Sequence, residues 1–161
     1  MVAIRSRNLP QPANAMIQIR RIVCPIDFSP TAQHALDYAA ELARSANAEL
    51  VLLHVIPDFD YPIRGLGMAQ AFPHLRTEMH TRAKEQLTAA QQTLKNVKST
   101  LELRDGIAHD AILDCAKAVK ADMIVMGTHG HTGLKHALLG SSAERVVRLS
   151  TCPVLTVRSP S

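Results

Sequence analysis

Two groups of small residues have types and spacing that suit phosphate binding. Gly127-Thr128-His129-Gly130 follows an apolar run, and nine intervening residues separate Gly130 from Gly140-Ser141-Ser142. Glycine lets the backbone approach a ligand closely and tolerates a positive φ. A helix that starts at the two serines offers unpaired N–H groups, hydroxyls and a partial positive charge. This pattern predicts that the chain binds a phosphorylated small molecule.

The same residues also have an interpretation that needs no ligand. Ser141 and Glu144 have the spacing of an S-x-x-E capping box. Gly127 and Gly130 also suit a tight turn. Spacing alone leaves both interpretations open. The predicted strand ahead of Gly127 favours phosphate, because ligands of open α/β sheets bind beyond the carboxyl ends of strands.

Apolar patterns predict five strands and four helices in strict alternation. Continuous apolar runs indicate buried strands, and apolar residues spaced by three and four indicate helices. Ser29 is expected to cap the first helix, with Pro30 at its first position. The alternation predicts one α/β domain, a parallel sheet with helices on both faces. The predicted strands are 21–27, 49–56, 100–104, 121–127 and 153–157, and the predicted helices are 30–46, 79–97, 108–119 and 143–150.

The composition argues against a membrane protein and gives little support to nucleic-acid binding. No segment approaches the ~18 consecutive apolar residues of a membrane span. Only 3% of the 161 residues are aromatic, which disfavours base stacking. The net charge is +4, but residues 1–20 hold three of the 18 basic side chains and none of the 14 acidic ones. The body of the chain is therefore nearly neutral, and we expect neither nucleic acid nor membrane as a partner.

Residues 1–16 are expected to form a disordered leader before a single domain at 17–161. The leader contains Pro10-Gln11-Pro12, and residues 1–14 lack the continuous apolar stretch of a secretory signal. The three cysteines are odd in number, far apart and outside any C-x-x-C pattern. Such cysteines predict a reducing, cytoplasmic setting.

Asp27 is the strongest candidate outside the glycine segments. It ends the first predicted strand, where a carboxylate could contact a ribose, an adenine edge or a metal on the phosphates. The alternative is a carboxylate that favours the nearby helix start. The histidines lack partners at zinc-motif spacing. His54 is expected to be a hydrogen-bonded core residue, and the expected surface histidines are His34, His74, His80, His109 and His136.

Taken together, these residues resemble the universal stress protein family. Gly127, Gly130, Gly140 and Ser141 match the family's nucleotide motif, G-x2-G-x9-G-[S/T], in full. Residues 22–29 resemble its first-strand signature, and residues 152–157 resemble its last strand. The likeness covers residues 18–158, so the leader has no counterpart in the family.

The resemblance implies a three-layer sandwich with strand order 3-2-1-4-5 that binds ATP, or ADP or AMP, with Mg²⁺ accompanying the nucleotide. Asp27 is the one candidate metal ligand. The family positions around adenine and ribose are Pro25, Asp27, Val55 and Met126, and those around ribose and phosphates are Gly127, Gly130, His131, Gly140, Ser141 and Ser142.

The resemblance also implies a homodimer through the last strand, Pro153 to Val157. That strand order puts this strand at a sheet edge, whose unpaired backbone groups can pair with a second copy. Proline at Leu155 is expected to remove a donor from the pairing.

Three functions stay open on the sequence. The first is an ATP-binding regulatory protein of the stress response that acts by binding rather than catalysis. The second is a slow ATPase or autophosphorylating enzyme, and the third is a nucleotide-independent dimeric interaction module. No P-loop, Rossmann or G-x-S-x-G motif occurs, and no nucleophile with an adjacent base is recognisable. The first function is therefore favoured, and phosphate release from labelled ATP separates it from the second.

Overall fold

The computed structural model describes residues 18–57, 73–129 and 139–158. The predicted leader and residues 58–72, between β2 and α2, lie outside them. In this part of the chain no helix is both long and apolar enough to cross a membrane. The strands are β1 (Arg21–Pro25), β2 (Glu49–Ile56), β3 (Ser99–Asp105), β4 (Met123–Gly127) and β5 (Val154–Val157), and the helices are α1 (Pro30–Ala46), α2 (Pro73–Gln92), α3 (Ala108–Ala118) and α4 (Ser141–Leu149).

The five strands form one parallel sheet in the order β3-β2-β1-β4-β5, which confirms the predicted fold. Strand β1 lies at the centre, with Ile22 opposite Leu50 of β2 and Met123 of β4. Its residues Ile22, Val23 and Cys24 are completely buried. This burial explains the continuous apolar runs, because a central parallel strand is covered on both faces.

Successive side chains of the central strands enter two separate apolar layers, one on each face of the sheet. Ile22 and Cys24 pack with α1 and with Leu87 of α2. Val23 packs on the opposite face with α3 and α4. The first layer includes Ala32, Ala35, Leu36, Ala39 and Ala43, and the second includes Ile112, Cys115, Ala116, Ala143 and Val146. The helices therefore cover both faces, as expected for an open α/β sandwich.

Several element boundaries differ from the predictions, by up to six residues at the start of α2. Strand β1 ends at Pro25 rather than Asp27; the N–H of Ile26 still donates to the carbonyl of Leu53 at 2.8 Å, and the chain then turns at Phe28, whose φ is 63°. Strand β4 begins at Met123, and the carboxylate of Asp122 just before it accepts hydrogen bonds from the backbone N–H groups of Arg20 and Arg21 at 2.8 and 2.9 Å. Helix α2 spans Pro73–Gln92 rather than 79–97.

The predicted surface position of His109 is wrong. Its side chain is only 12% exposed, and its Nε2 lies 2.9 Å from Nη1 of Arg145 in α4. The burial results from the packing of α3 beside α4. A sequence pattern for α3 alone does not contain this information. His136 lies outside the described residues.

Helix α1 begins as predicted. Ser29 is the N-cap, its Oγ accepts a hydrogen bond from the N–H of Ala32 at 3.2 Å, and Pro30 follows in the first turn. Ser29 is 3% exposed. Water therefore cannot readily replace this acceptor, and the cap fixes where the chain turns from β1 into α1.

We expect Ser29→Ala to lower the free energy of unfolding by about 1 kcal/mol, because the N–H of Ala32 loses its acceptor. Urea denaturation followed by circular dichroism measures this change. Ser45→Ala is the matched control, since Ser45 is exposed in the same helix. Equal losses in the two variants would contradict the capping role of Ser29.

Candidate functional site

A cleft of about 370 Å³ opens at the carboxyl ends of β1, β2 and β4. The topology explains its position. Strands β1 and β4 are neighbours, but α1 covers one face of the sheet while α3 and α4 cover the other. The chain segments that follow β1 and β4 therefore diverge, which is the usual origin of a ligand crevice in open α/β sheets.

Eight of the ten predicted site residues line this cleft, and the other two, Gly130 and His131, lie outside the described residues. Their proximity is a finding about geometry, and their ligand roles stay predictions. The eight come from four places in the sequence, the ends of β1, β2 and β4 and the start of α4. They are Pro25, Asp27, Val55, Met126, Gly127, Gly140, Ser141 and Ser142.

The cleft has an apolar side and a polar end. The apolar side combines strand residues with the start of α3, including Ile26, Leu53, Ala108 and Ile112, which were not predicted. The polar end includes Thr128, another residue that was not predicted, beside the serines of α4. A volume of this size lies within the ~300–1,000 Å³ that small-molecule sites occupy. The cleft can therefore hold a ligand with one flat apolar part and one polar part.

Asp27 is held at the cleft by a local turn. Its Oδ1 accepts a hydrogen bond from the N–H of Ser29 at 3.0 Å. Between them Phe28 has a φ of 63°, in the left-handed region that non-glycine residues rarely adopt. Such backbone strain concentrates at functional sites. Asp27 thus both supports the start of α1 and lines the cleft, so its two predicted roles are compatible.

His54 is hydrogen-bonded as predicted, but it is half-buried rather than a core residue. Its Nδ1 lies 2.7 Å from the carbonyl oxygen of Ile26. A carbonyl only accepts, so Nδ1 carries the hydrogen and donates. The ring packs against Phe28 with centroids 4.6 Å apart. His54 also lines the cleft, which was not predicted, although its place beside Val55 near the end of β2 was a signal for it.

Gly127 and Gly140 are required for close approach rather than for a positive φ. A Cβ on Gly127 would lie 3.0 Å from Cγ2 of Thr31 in α1. A Cβ on Gly140 would lie 3.1 Å from the carbonyl oxygen of Thr128, which already accepts the N–H of Gly140 at 2.7 Å. Gly140 itself has an ordinary φ of −69°. Gly127 therefore lets the end of β4 approach α1, and Gly140 lets the start of α4 approach the residues that follow β4.

The structure does not support the alternative interpretation of Ser141 and Glu144 as a capping box. The N-cap of α4 is Gly140, and no side chain makes a capping hydrogen bond there. Ser141 and Ser142 instead occupy the first turn. The carboxylate of Glu144 lies 3.8 Å from the guanidinium of Arg148. The capping interpretation thus loses its structural basis, and the start of α4 presents two hydroxyls to the cleft.

The electrostatics of the cleft come from few groups. Among the described lining residues, Asp27 is the only Asp or Glu and there is no Lys or Arg. Across the described ranges no group of three or more His, Cys, Asp or Glu side chains is placed to hold a metal ion. A metal here would need most of its ligands from a bound molecule, with the carboxylate of Asp27 as a suitable hard oxygen donor.

Two buried thiols near the sheet centre are unsuited to nucleophilic chemistry. Burial, with a smaller effect from Asp37, raises the pKa of Cys24 to about 12. Burial also raises the pKa of Cys115, against a lowering effect of Arg104. Because the thiolate is the nucleophilic form, both groups stay protonated and unreactive at neutral pH.

The Universal stress protein family model matches residues 18–158. The chain is 34% identical to Universal stress protein A homolog 1 of Coxiella burnetii, over 86% of this chain and 95% of that protein. It is 31% identical to Universal stress protein MJ0577 of Methanocaldococcus jannaschii, over 88% of this chain and 96% of that protein.

Solved structures of similar proteins have the same fold. The structure of MJ0577 superposes with a TM-score of 0.79 at 32% identity, covering 89% of this chain and 99% of that one. A universal stress protein from Archaeoglobus fulgidus in complex with dAMP has a TM-score of 0.63 at 25% identity, and the match covers 88% of this chain and 99% of that one. A universal stress protein in complex with cAMP has a TM-score of 0.59 at 27% identity, and the match covers 88% of this chain and 98% of that one.

Proposed function

The chain belongs to the universal stress protein family, and we propose that it binds ATP, or the related ADP or AMP, in the cleft at the carboxyl ends of β1 and β4. It acts as a regulatory protein of the stress response through binding rather than catalysis. The observation that carries the proposal is the start of α4, which has no side-chain cap and presents Ser141 and Ser142 to the cleft.

The adenosine part fits the side of the cleft formed by the strand ends. Pro25, Val55 and Met126 offer apolar surface to the flat base. The carboxylate of Asp27, oriented by its bond from the N–H of Ser29, is placed to accept from ribose hydroxyls. The solved complexes of similar proteins with dAMP and cAMP support an adenine nucleotide as the ligand class.

The phosphates fit the polar end. There the first turn of α4 offers N–H groups and a partial positive charge. Gly127 and Gly140 leave the backbone open to close approach, and Ser141 and Ser142 add hydroxyl donors. Gly130 and His131 complete the proposed set, although they lie outside the described residues.

The wider proposals concern the domain and its setting. Residues 17–161 form one nucleotide-binding domain that follows a leader at 1–16. Cys24, Cys115 and Cys152 are free thiols, which supports a reducing, cytoplasmic location.

Gly140→Val should abolish nucleotide binding, because its Cβ would press on the carbonyl of Thr128 and its methyl groups would occupy the phosphate end. In the wild type, ATP at a hundredfold excess over its Kd should raise Tm by roughly 5–10 °C. The variant should lose this shift and keep its far-UV circular dichroism spectrum. Unchanged ATP affinity would contradict the phosphate assignment.

Two further variants separate lost binding from lost stability. Gly106→Ala strains a residue with a φ of 124° that is absent from the cleft lining, so it should lower Tm and leave the ATP-induced shift intact. Ser141→Ala removes only a hydroxyl and should weaken ATP binding without unfolding the protein.

Binding of ATP should depend on Mg²⁺, because the cation neutralises part of the triphosphate charge and the chain supplies at most Asp27 as a ligand. Calorimetric titrations of ATP with and without Mg²⁺ measure the difference. Titrations of AMP are the control, and the Kd of AMP should change little when Mg²⁺ is added. Superimposable ATP curves would remove the metal from the proposal.

The proposed homodimer uses the free edge of β5, where Leu155 is 37% exposed. The structure corrects the choice of test residue. The carbonyls of Pro153 and Val157 accept hydrogen bonds from Ile124 and Thr128 on the β4 side. Alternation along the strand therefore points the N–H of Leu155 toward β4 and that of Thr156 toward the free edge. Proline at Leu155 would disrupt the β4–β5 pairing within the subunit.

Thr156→Pro should shift the protein from dimer to monomer, because it removes an outward N–H while proline is tolerated on a strand edge. Thr156→Val keeps the N–H and is the matched control. Light scattering at micromolar concentration gives the mass of each. A monomeric wild type would refute the dimer.

A further inference from the structure

Among the residues that the structure describes, the lining of the proposed nucleotide site contains no Lys or Arg to balance the charge of a nucleotide. A triphosphate carries several negative charges, yet no Lys or Arg is among the described residues that line the cleft. The start of a helix supplies only about half an elementary charge. A cation beside the lining would strengthen binding of the outer phosphates.

Arg145 has the required position. It is three residues beyond Ser142 on α4, and residues at this spacing lie on the same helix side with Cβ atoms about 5–6 Å apart. Its guanidinium reaches across to α3, where Nη1 lies 2.9 Å from Nε2 of His109. Ala108, the neighbour of His109, lines the cleft, as does Ser142. Arg145 thus stands at the rim, between the two helices that wall the cleft.

The partner of Arg145 is a weak one for a guanidinium. Guanidinium nitrogens only donate, so Nε2 of His109 accepts, and that nitrogen carries no hydrogen. Asp110 lies 3.5 Å from the same nitrogen, but it cannot receive a hydrogen bond from Nε2 in this tautomer. A charge-assisted bond from arginine to phosphate is stronger than a bond to a neutral acceptor. An anionic ligand can therefore draw Arg145 from His109.

We propose that Arg145 binds the outer phosphates of a nucleoside di- or triphosphate and makes the site prefer these ligands over a monophosphate. This inference rests on the proposed nucleotide function. Arg148 does not fit the role, because it lies one turn further along α4 and pairs with Glu144 at 3.8 Å. Arg148 therefore provides a matched control position on the same helix.

Calorimetric Kd values for ATP and AMP at low ionic strength test the proposal. Arg145→Gln should weaken ATP binding about tenfold, as expected for loss of a charge-assisted contact, and should leave AMP binding unchanged. Arg148→Gln, with the same change of charge, should alter neither. Arg145→Lys should recover part of the ATP affinity, since it restores the charge without the bidentate geometry.

The outcomes distinguish this proposal from the proposed nucleotide-binding function. Equal weakening of ATP and AMP by Arg145→Gln, together with a lower Tm, would mean that Arg145 only ties α4 to α3, and would overturn the inference. Equal effects of Arg145→Gln and Arg148→Gln would overturn it as a general charge effect. A wild type that binds neither ATP nor AMP would overturn the proposed function as well.

Discussion

The fold and the candidate site both depend on one feature of the sheet: strands β1 and β4 are neighbours, but the helices that follow them pack on opposite faces. Hydrogen bonding holds these strands side by side, with Val23 opposite Ile124. The chain then passes from β1 into α1 on one face and from β4 toward α4 on the other. Packing of both apolar layers requires this divergence, and the divergence leaves the cleft. Fold stability and the candidate site therefore arise from one arrangement.

Close backbone approach is the second constraint. The carbonyl of Thr128 accepts the N–H of Gly140, which anchors the start of α4 to the end of β4. Any side chain at Gly140 would press on that carbonyl. Ser141 and Ser142 in the first turn thereby line the cleft, and no side chain caps the helix. One tertiary hydrogen bond thus fixes the start of α4 beside the candidate site.

The sequence alone predicts the features of the fold that local interactions determine. The strand and helix order follows from apolar periodicity, and the Ser29–Pro30 pair marks the start of α1 because capping is a local interaction. Features set by tertiary contacts were missed. The S-x-x-E spacing suggested a cap at Ser141, but the bond between Gly140 and Thr128 moves the cap one residue earlier. Likewise, α3–α4 packing buries His109.

Native mass spectrometry of the protein, purified without added nucleotide, tests the central claim most directly. The account predicts a species heavier than the bare chain by one adenine nucleotide per subunit. If the site empties during purification, the same mass increase should appear when ATP is added in excess. A spectrum that shows only the bare chain under both conditions would contradict the account.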